Sequence, residues 1–186
     1  NIAAGTYDES VSISAKTLTI EGAGVGATII RSDRDSTAFQ ATSGGLSVSH
    51  LSIRGGAQGM KLRGITGSLT AVELANNRGD EMGGGIAITD SANINLTSVM
   101  ITENQGTDGG GLYLDASSQA VLSDPWIANN EATSSGGGVY SAGKIQVTGA
   151  EMIENTAEVH GGGMYATGLS PEVVDSKIWG NIAGSN

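Results

Sequence analysis

The chain has 186 residues, no cysteine, and 19 acidic against 9 basic side chains, for a formal net charge of −10. That balance argues against nucleic acid as a partner, because phosphate binding needs a basic patch, and the lack of cysteine excludes disulfide staples and thiolate metal sites. Thirty glycines, two prolines and no long amphipathic stretch leave little room for helices, and no apolar run approaches the ~18 residues of a membrane span.

The length suits one domain, residues 1–186, with a sizeable core. The sequence opens on Asn1 with neither an initiator methionine nor a signal segment, which reads as a processed or excised piece of a longer chain or assembly. Taken in order, residues 4–7 (AGTY) lead to Val11 and Ile13, which alternate with serines and predict a first strand; Leu18 and Ile20 predict a second. Gly22, Gly24 and Gly26 predict a turn before Ile29 and Ile30, and residues 32–36 (SDRDS) a solvated loop. No helix pattern follows the G-x-G-x-G run to offer a phosphate its amino-terminal end, so nucleotide binding is not supported.

From Leu46 the pattern becomes regular. Leu46, Val48, Leu51 and Ile53 have the spacing of Ile94, Leu96, Val99 and Ile101, and again of Ile145, Val147, Ala150 and Met152. Asparagines follow at Asn77, Asn104, Asn130, Asn155 and Asn181, with spacings of 27, 26, 25 and 26 residues. Each has an apolar residue three before it (Leu74, Ile101, Ile127, Met152, Ile178) and another eight before it. A period near 26 marks a solenoid, in which each turn buries its apolar face only by stacking on its neighbours. The leucine-rich L-x-x-L-x-L pattern is absent, and the spacing between anchors is that of strands, which predicts an all-β, right-handed parallel β-helix.

The asparagines suit an internal ladder. Asparagine tolerates the left-handed backbone conformation and carries donor and acceptor on one short side chain, so equivalent amides can bond up and down the stack. Beyond each stands a small residue (Gly79, Gly106, Ala132, Ala157, Ala183) and then, in four repeats, three glycines, at 83–85, 109–111, 136–138 and 161–163. These predict tight corners. The next residues, Ile86, Leu112, Val139 and Met164, are apolar and predicted inward, which turns Tyr113, Tyr140 and Tyr165 outward, ~4.8 Å apart per rung. Trp126 and Trp179, each beside an inward isoleucine, are predicted to face solvent. Such a tyrosine column is more often structural than a ligand platform, but exposed aromatics also stack on sugar rings, so these five are the candidate ligand-binding residues.

The N-x-A-x-x-x-G-G-G-x-Y units resemble repeats of bacterial surface proteins with the right-handed parallel β-helix (pectin-lyase-like) fold, in particular the polymorphic outer membrane protein repeats, with F-x-x-N and G-G-A-[ILV] signatures. Here Leu, Ile or Met stands for that Phe and a third Gly for that Ala. The opening AGTYDE, followed by LTIEGAG, is similar to the first rungs of pectinesterases and their non-catalytic relatives. The resemblance implies an extracellular or cell-surface location. The catalytic motifs of pectinesterases and polygalacturonases are absent: there is no D-F-I-F-G-like strand, no paired aspartate, and His160 precedes rather than divides its glycines. Asp80, Glu81, Asp108 and Glu158 precede the glycine corners, where calcium-binding carboxylates could cluster as in pectate lyases, but an acidic solvated face is the commoner arrangement and the G-G-x-G-x-D repeat is missing. No cofactor and no catalytic residue are therefore predicted; His50 and His160 read as turn or surface residues.

Three functions stay open: a structural or adhesive surface solenoid, a carbohydrate-binding solenoid, and a polysaccharide-degrading enzyme with catalytic residues outside this piece. Ice binding is disfavoured for want of a flat T-x-T array. The expected partners are like subunits or flanking rungs, and surface glycans. Gly5, Thr6 and Tyr7 supply, at the opening, the G-x-Y that would follow the last asparagine, so an open lower face is expected to stack on an open upper one, head to tail.

Overall fold

In the computed structural model, which describes residues 1–168 and 170–184, the chain winds into a parallel β-solenoid of about seven turns, with no helix among the described residues. Each regular turn has three principal strands. The first face is built from Ile86–Thr89, Leu112–Leu114, Val139–Ser141 and Met164–Ala166. The second comes from Asn93–Thr97, Gln119–Ser123, Lys144–Thr148 and Glu172–Val174, and the third from Met100–Thr102, Trp126–Ala128, Glu151–Ile153 and Lys177–Trp179. A two-residue strand after each of the last four ladder asparagines, such as Gln105–Gly106 and Glu131–Ala132, forms a separate small sheet, and Arg78, after Asn77, joins it by a single bridge to Gln105.

Parallel register stacks like on like. Phe39, Met60, Ile86, Leu112 and Val139 form one inward column, Val48, Leu69, Leu96, Leu122 and Val147 a second, and Ile53, Leu74, Ile101, Ile127 and Met152 a third. All of these side chains are at most 1% exposed. Each contributes roughly 1.5–3 kcal/mol by leaving water. The anchors eight and three before each asparagine are thus the second and third of these columns.

Left-handed residues turn most corners. Between the first and second faces they are Ala15 (φ 52°), Ser43 with Gly44 (58° and 110°), Gly64 (60°) and Asp90 with Ser91 (60° and 64°), while residues 115–118 and 142–143 make that corner without one; between the second and third they are His50 (54°), Ala71 (49°), Ser98 (50°), Asp124 (52°), Gly149 (68°) and Asp175 (50°). His50 is a turn residue, as predicted. After the third face, the left-handed residue is the one before the ladder asparagine: Asn76 (56°), Glu103 (57°), Asn129 (56°), Glu154 (53°) and Gly180 (66°). The ladder asparagines therefore do not hold the left-handed conformation proposed for them from the sequence; they are selected by their amide bonds alone.

Two further expectations are corrected. Val11–Glu21 is one strand of 11 residues rather than two, and Thr37–Arg54 and Gln58–Ala75 each run unbroken for 18. Neighbouring rungs bend at the same place, at Ala15, Ser43 and Gly64, so the inter-rung hydrogen bonds continue around the corner. Tyr7 pairs with Ile30, and Ile30 with Ile53, which puts Gly5, Thr6 and Tyr7 on the third face; they are not the counterpart of the G-x-Y on the first. In the last rung the second and third core columns end on Val173 and Ile178, which are 40% and 50% exposed.

Candidate functional site

The asparagine ladder is continuous and buried. Each Nδ2 donates to the Oδ1 of the next rung, from Asn77 to Asn104 (2.9 Å), Asn104 to Asn130 (3.0 Å), Asn130 to Asn155 (2.9 Å) and Asn155 to Asn181 (2.9 Å). The same Oδ1 accepts the preceding asparagine's backbone N–H, as in Asn104 to Asn130 at 3.0 Å. The second Nδ2 proton returns to a carbonyl of the rung before, for example Asn104 to Leu74 O at 2.8 Å. At the amino-terminal end, Gly56 N–H donates to Asn77 Oδ1 at 3.1 Å, because Gly56 occupies the asparagine position of a rung that has none. Both Oδ1 and Nδ2 of the interior asparagines are used up within the core, so these residues have no capacity left for a ligand.

The three glycines of each triplet answer to three constraints. The first turns the corner, with φ of 72° at Gly83, 65° at Gly109, 71° at Gly136 and 60° at Gly161. A Cβ on the second would overlap a backbone carbonyl of the next rung, that of Gln105 for Gly84 and that of Glu131 for Gly110. On the third it would press on the following third glycine and on a ladder amide: from Gly111, 2.5 Å from Gly138 O and 3.2 Å from Asn130 Cγ. One rung earlier the triplet is absent, and Gln58, 1% exposed, donates its Nε2 to Met82 O at 2.6 Å and Gly83 O at 3.1 Å.

Outside the core, Tyr113, Tyr140 and Tyr165 form the predicted column in register. The Tyr113 and Tyr140 rings are stacked at 5.3 Å and 13°, Tyr140 and Tyr165 are tilted at 5.8 Å and 49°, and His160 stacks on Tyr165 at 5.1 Å and 17°. Since Tyr113 and Tyr140 cover each other's faces, a sugar would meet ring edges and hydroxyls there. Burial, with Tyr140, Asp115 and Asp108 adding to it, pushes the Tyr113 hydroxyl pKa above its ordinary value. Trp126 (42% exposed) and Trp179 (55%) do face solvent, but they share no column: Trp126 aligns with Met100 and Glu151, and Trp179 with Ile153. The five aromatic residues therefore do not converge on one platform.

A family model described as a right-handed beta helix region matches residues 6–178. The chain belongs to this right-handed β-helix family. No match was found among curated proteins or among solved structures. The family assignment agrees with the winding and the rung period, and it fixes no ligand for this β-helix.

The carboxylates work within the β-helix itself. Among the described residues no three His, Asp or Glu side chains come together as a metal site. Asp108 Oδ1 accepts the backbone N–H of Ser135 at 3.0 Å, and Glu81 lies 3.8 Å from Lys61 Nζ. Asp115 accepts the N–H of Asp90 (2.9 Å), the N–H of Ser117 (3.1 Å) and the Ser117 hydroxyl (3.0 Å). Burial disfavours its charged form, but these bonds together with one from Ser118 outweigh that and hold its pKa below the ordinary 3.8. A carboxyl with a depressed folded pKa stabilises the fold fully above its unfolded pKa, and the contribution is lost as pH falls through the folded value. We expect Asp115→Asn to lower the melting temperature at pH 7, and the gap to wild type to close below about pH 3.8. A gap independent of pH would show that the charge has no part in holding this corner.

Sequence reasoning missed the outer surface of the second face. Its outward positions over the five rungs from Gly45 to Thr148 hold Gly45 and hydroxyl or amide side chains, apart from the apolar Val121 and one charged residue, Lys144. The signal was present as the polar residues alternating with the inward anchors, but they form no motif until the register aligns them.

Proposed function

We propose that this β-helix is an extracellular structural or adhesive rod that stacks end to end on a second copy of its own kind. The observation that supports the reading is the composition of the last rung. Val173 and Ile178 continue columns that are sealed elsewhere, yet are 40% and 50% exposed, and Asn181 Oδ1 accepts the last pair of ladder bonds, from the backbone N–H and the Nδ2 of Asn155 (both 2.9 Å). A rung with apolar anchors and an asparagine would extend both patterns. Head-to-tail contacts of this kind do not close, so they give filaments rather than rings.

The test is sedimentation of the 186-residue chain over a hundredfold range of concentration. The average mass is expected to rise with concentration, and Ile178→Asp, which puts a charge on the open column, is expected to hold the chain as a monomer with its circular dichroism unchanged. A wild-type chain that stays monomeric throughout overturns association between copies.

A further inference from the structure

Over the five rungs from Gly45 to Thr148 the second face of this acidic molecule is regular, turned to solvent and carries one charge, Lys144, with Glu21 and Glu172 bounding it at either end. Its strands stack in strict register, so the outward residues form straight columns. One column runs through Ser49, Thr70, Thr97, Ser123 and Thr148, and the next through Ser68, Asn95, Val121 and Gln146. The grid repeats every ~4.8 Å between rungs and ~6.7 Å between alternate residues along a strand. Three of its four amides are unengaged: among the described residues no side-chain hydrogen bond joins Asn93, Asn95 or Gln119 to another protein group, although Asn93 lies directly over Gln119, while Gln146 at the edge donates its Nε2 to Glu172 Oε2 (2.8 Å). That is the opposite of the internal ladder, where every amide group has its partners. A shallow groove opens here, lined by Asn93, Gln119, Ala120, Val121, Lys144 and Gln146.

We propose that this face docks a neutral, hydroxyl-rich polysaccharide. Hydroxyl and amide groups both donate and accept, as sugar hydroxyls do, and a periodic grid meets a periodic polymer with many equivalent bonds at once. The exposed Val121 offers an apolar spot for the C–H face of a sugar ring. Charge selects the class of polymer. A chain of net charge −10 repels polyanions, and Lys144 alone supplies no patch to hold uronic acids or sulfates. A second copy of the protein is a poorer occupant, because protein interfaces are built on aromatic and aliphatic anchors and this face has only Val121. The proposal stands apart from end-to-end stacking, which uses the perpendicular surface of the rod.

The experiment is co-sedimentation of the full chain with three insoluble neutral matrices, cellulose, chitin and a β-1,3-glucan, and with cross-linked polygalacturonate as the acidic counterpart. Retention on at least one neutral matrix is expected. It should fall at least tenfold in the triple variant Asn93→Ala, Asn95→Ala, Gln119→Ala and in the single variant Asn95→Lys, which plants a long charged side chain mid-face. Both variants should keep the wild-type circular dichroism and melting temperature, since all three positions point outward. Replacing Tyr113, Tyr140 and Tyr165 by serine should leave retention intact. The proposal is overturned by no retention on any neutral matrix, by preference for polygalacturonate, by retention indifferent to the face variants, or by loss of retention in the tyrosine variant. A dimer that dissolves in the triple variant would assign the face to a second copy and overturn it equally.

Discussion

Asn130→Ala is expected to destabilise the fold by about 3 kcal/mol, because it orphans several buried groups at once, each worth about 1–3 kcal/mol when left without a partner. Asn130 is 1% exposed. Its Oδ1 takes the backbone N–H and the Nδ2 of Asn104 (both 3.0 Å), and its own Nδ2 reaches Ile101 O (2.8 Å) and Asn155 Oδ1 (2.9 Å). Alanine leaves Asn104 with two donors and Ile101 with a carbonyl facing nothing, while Asn155 Oδ1 keeps the backbone N–H of residue 130 (3.0 Å). Asn181→Ala removes the same partners from Asn155, but Asn181 is half-buried in the last rung, where water reaches the freed groups, and the loss should be under about 1 kcal/mol. Urea denaturation of the two variants checks this. Equal losses would mean that the ladder bonds contribute no more in the middle of the stack than at its end.

Gly110→Ala is expected to be the more damaging change, at more than about 3 kcal/mol, as overpacking against rigid backbone with no room to relax. The added methyl would overlap the Glu131 carbonyl of the next rung and come within 2.7 Å of Gly137 O. Both atoms belong to the inter-rung hydrogen-bond network, so making room means parting two rungs. Gly26→Ala is the control. It has φ 75° and nothing within 4 Å of the added carbon, so it meets only the left-handed strain of about 1–2 kcal/mol. If both variants melt together, the glycine triplets are there for backbone conformation and not for close approach.

Much of this architecture can be read before folding. The period is set by Asn77 to Asn181, the inward columns by the anchors eight and three before them, and the corners after the ladder by the glycine triplets. What stays hidden is whatever depends on the register between rungs. The left-handed corners are occupied by Ala, Ser, Asp, His, Asn and Glu as well as Gly, so no residue type announces them, and the strain was assigned to the ladder asparagine when the residue before it carries it. The 11-residue strand Val11–Glu21 looked like two because the left-handed bend at Ala15 breaks the alternation without breaking the hydrogen bonding. The tyrosines were legible as a column, but their mutual ring contacts were not. The second face had no motif at all, since Asn93 and Gln119 become neighbours only when their strands pair.

The ladder also has a direction, and it matches the direction of synthesis. Translation delivers Asn77 first and Asn181 last, with ~5–20 residues added each second. Each finished rung thus waits at the growing end with a backbone N–H and an Nδ2 proton extended, as Asn77 offers both to Asn104 Oδ1 (3.1 and 2.9 Å). The arriving asparagine brings the one oxygen that accepts both, and its own Nδ2 reaches back to a carbonyl already in place, as from Asn104 to Leu74 (2.8 Å). An incoming segment whose asparagine is out of place would leave those donors without an acceptor inside the core, at a cost of about 1–3 kcal/mol for each.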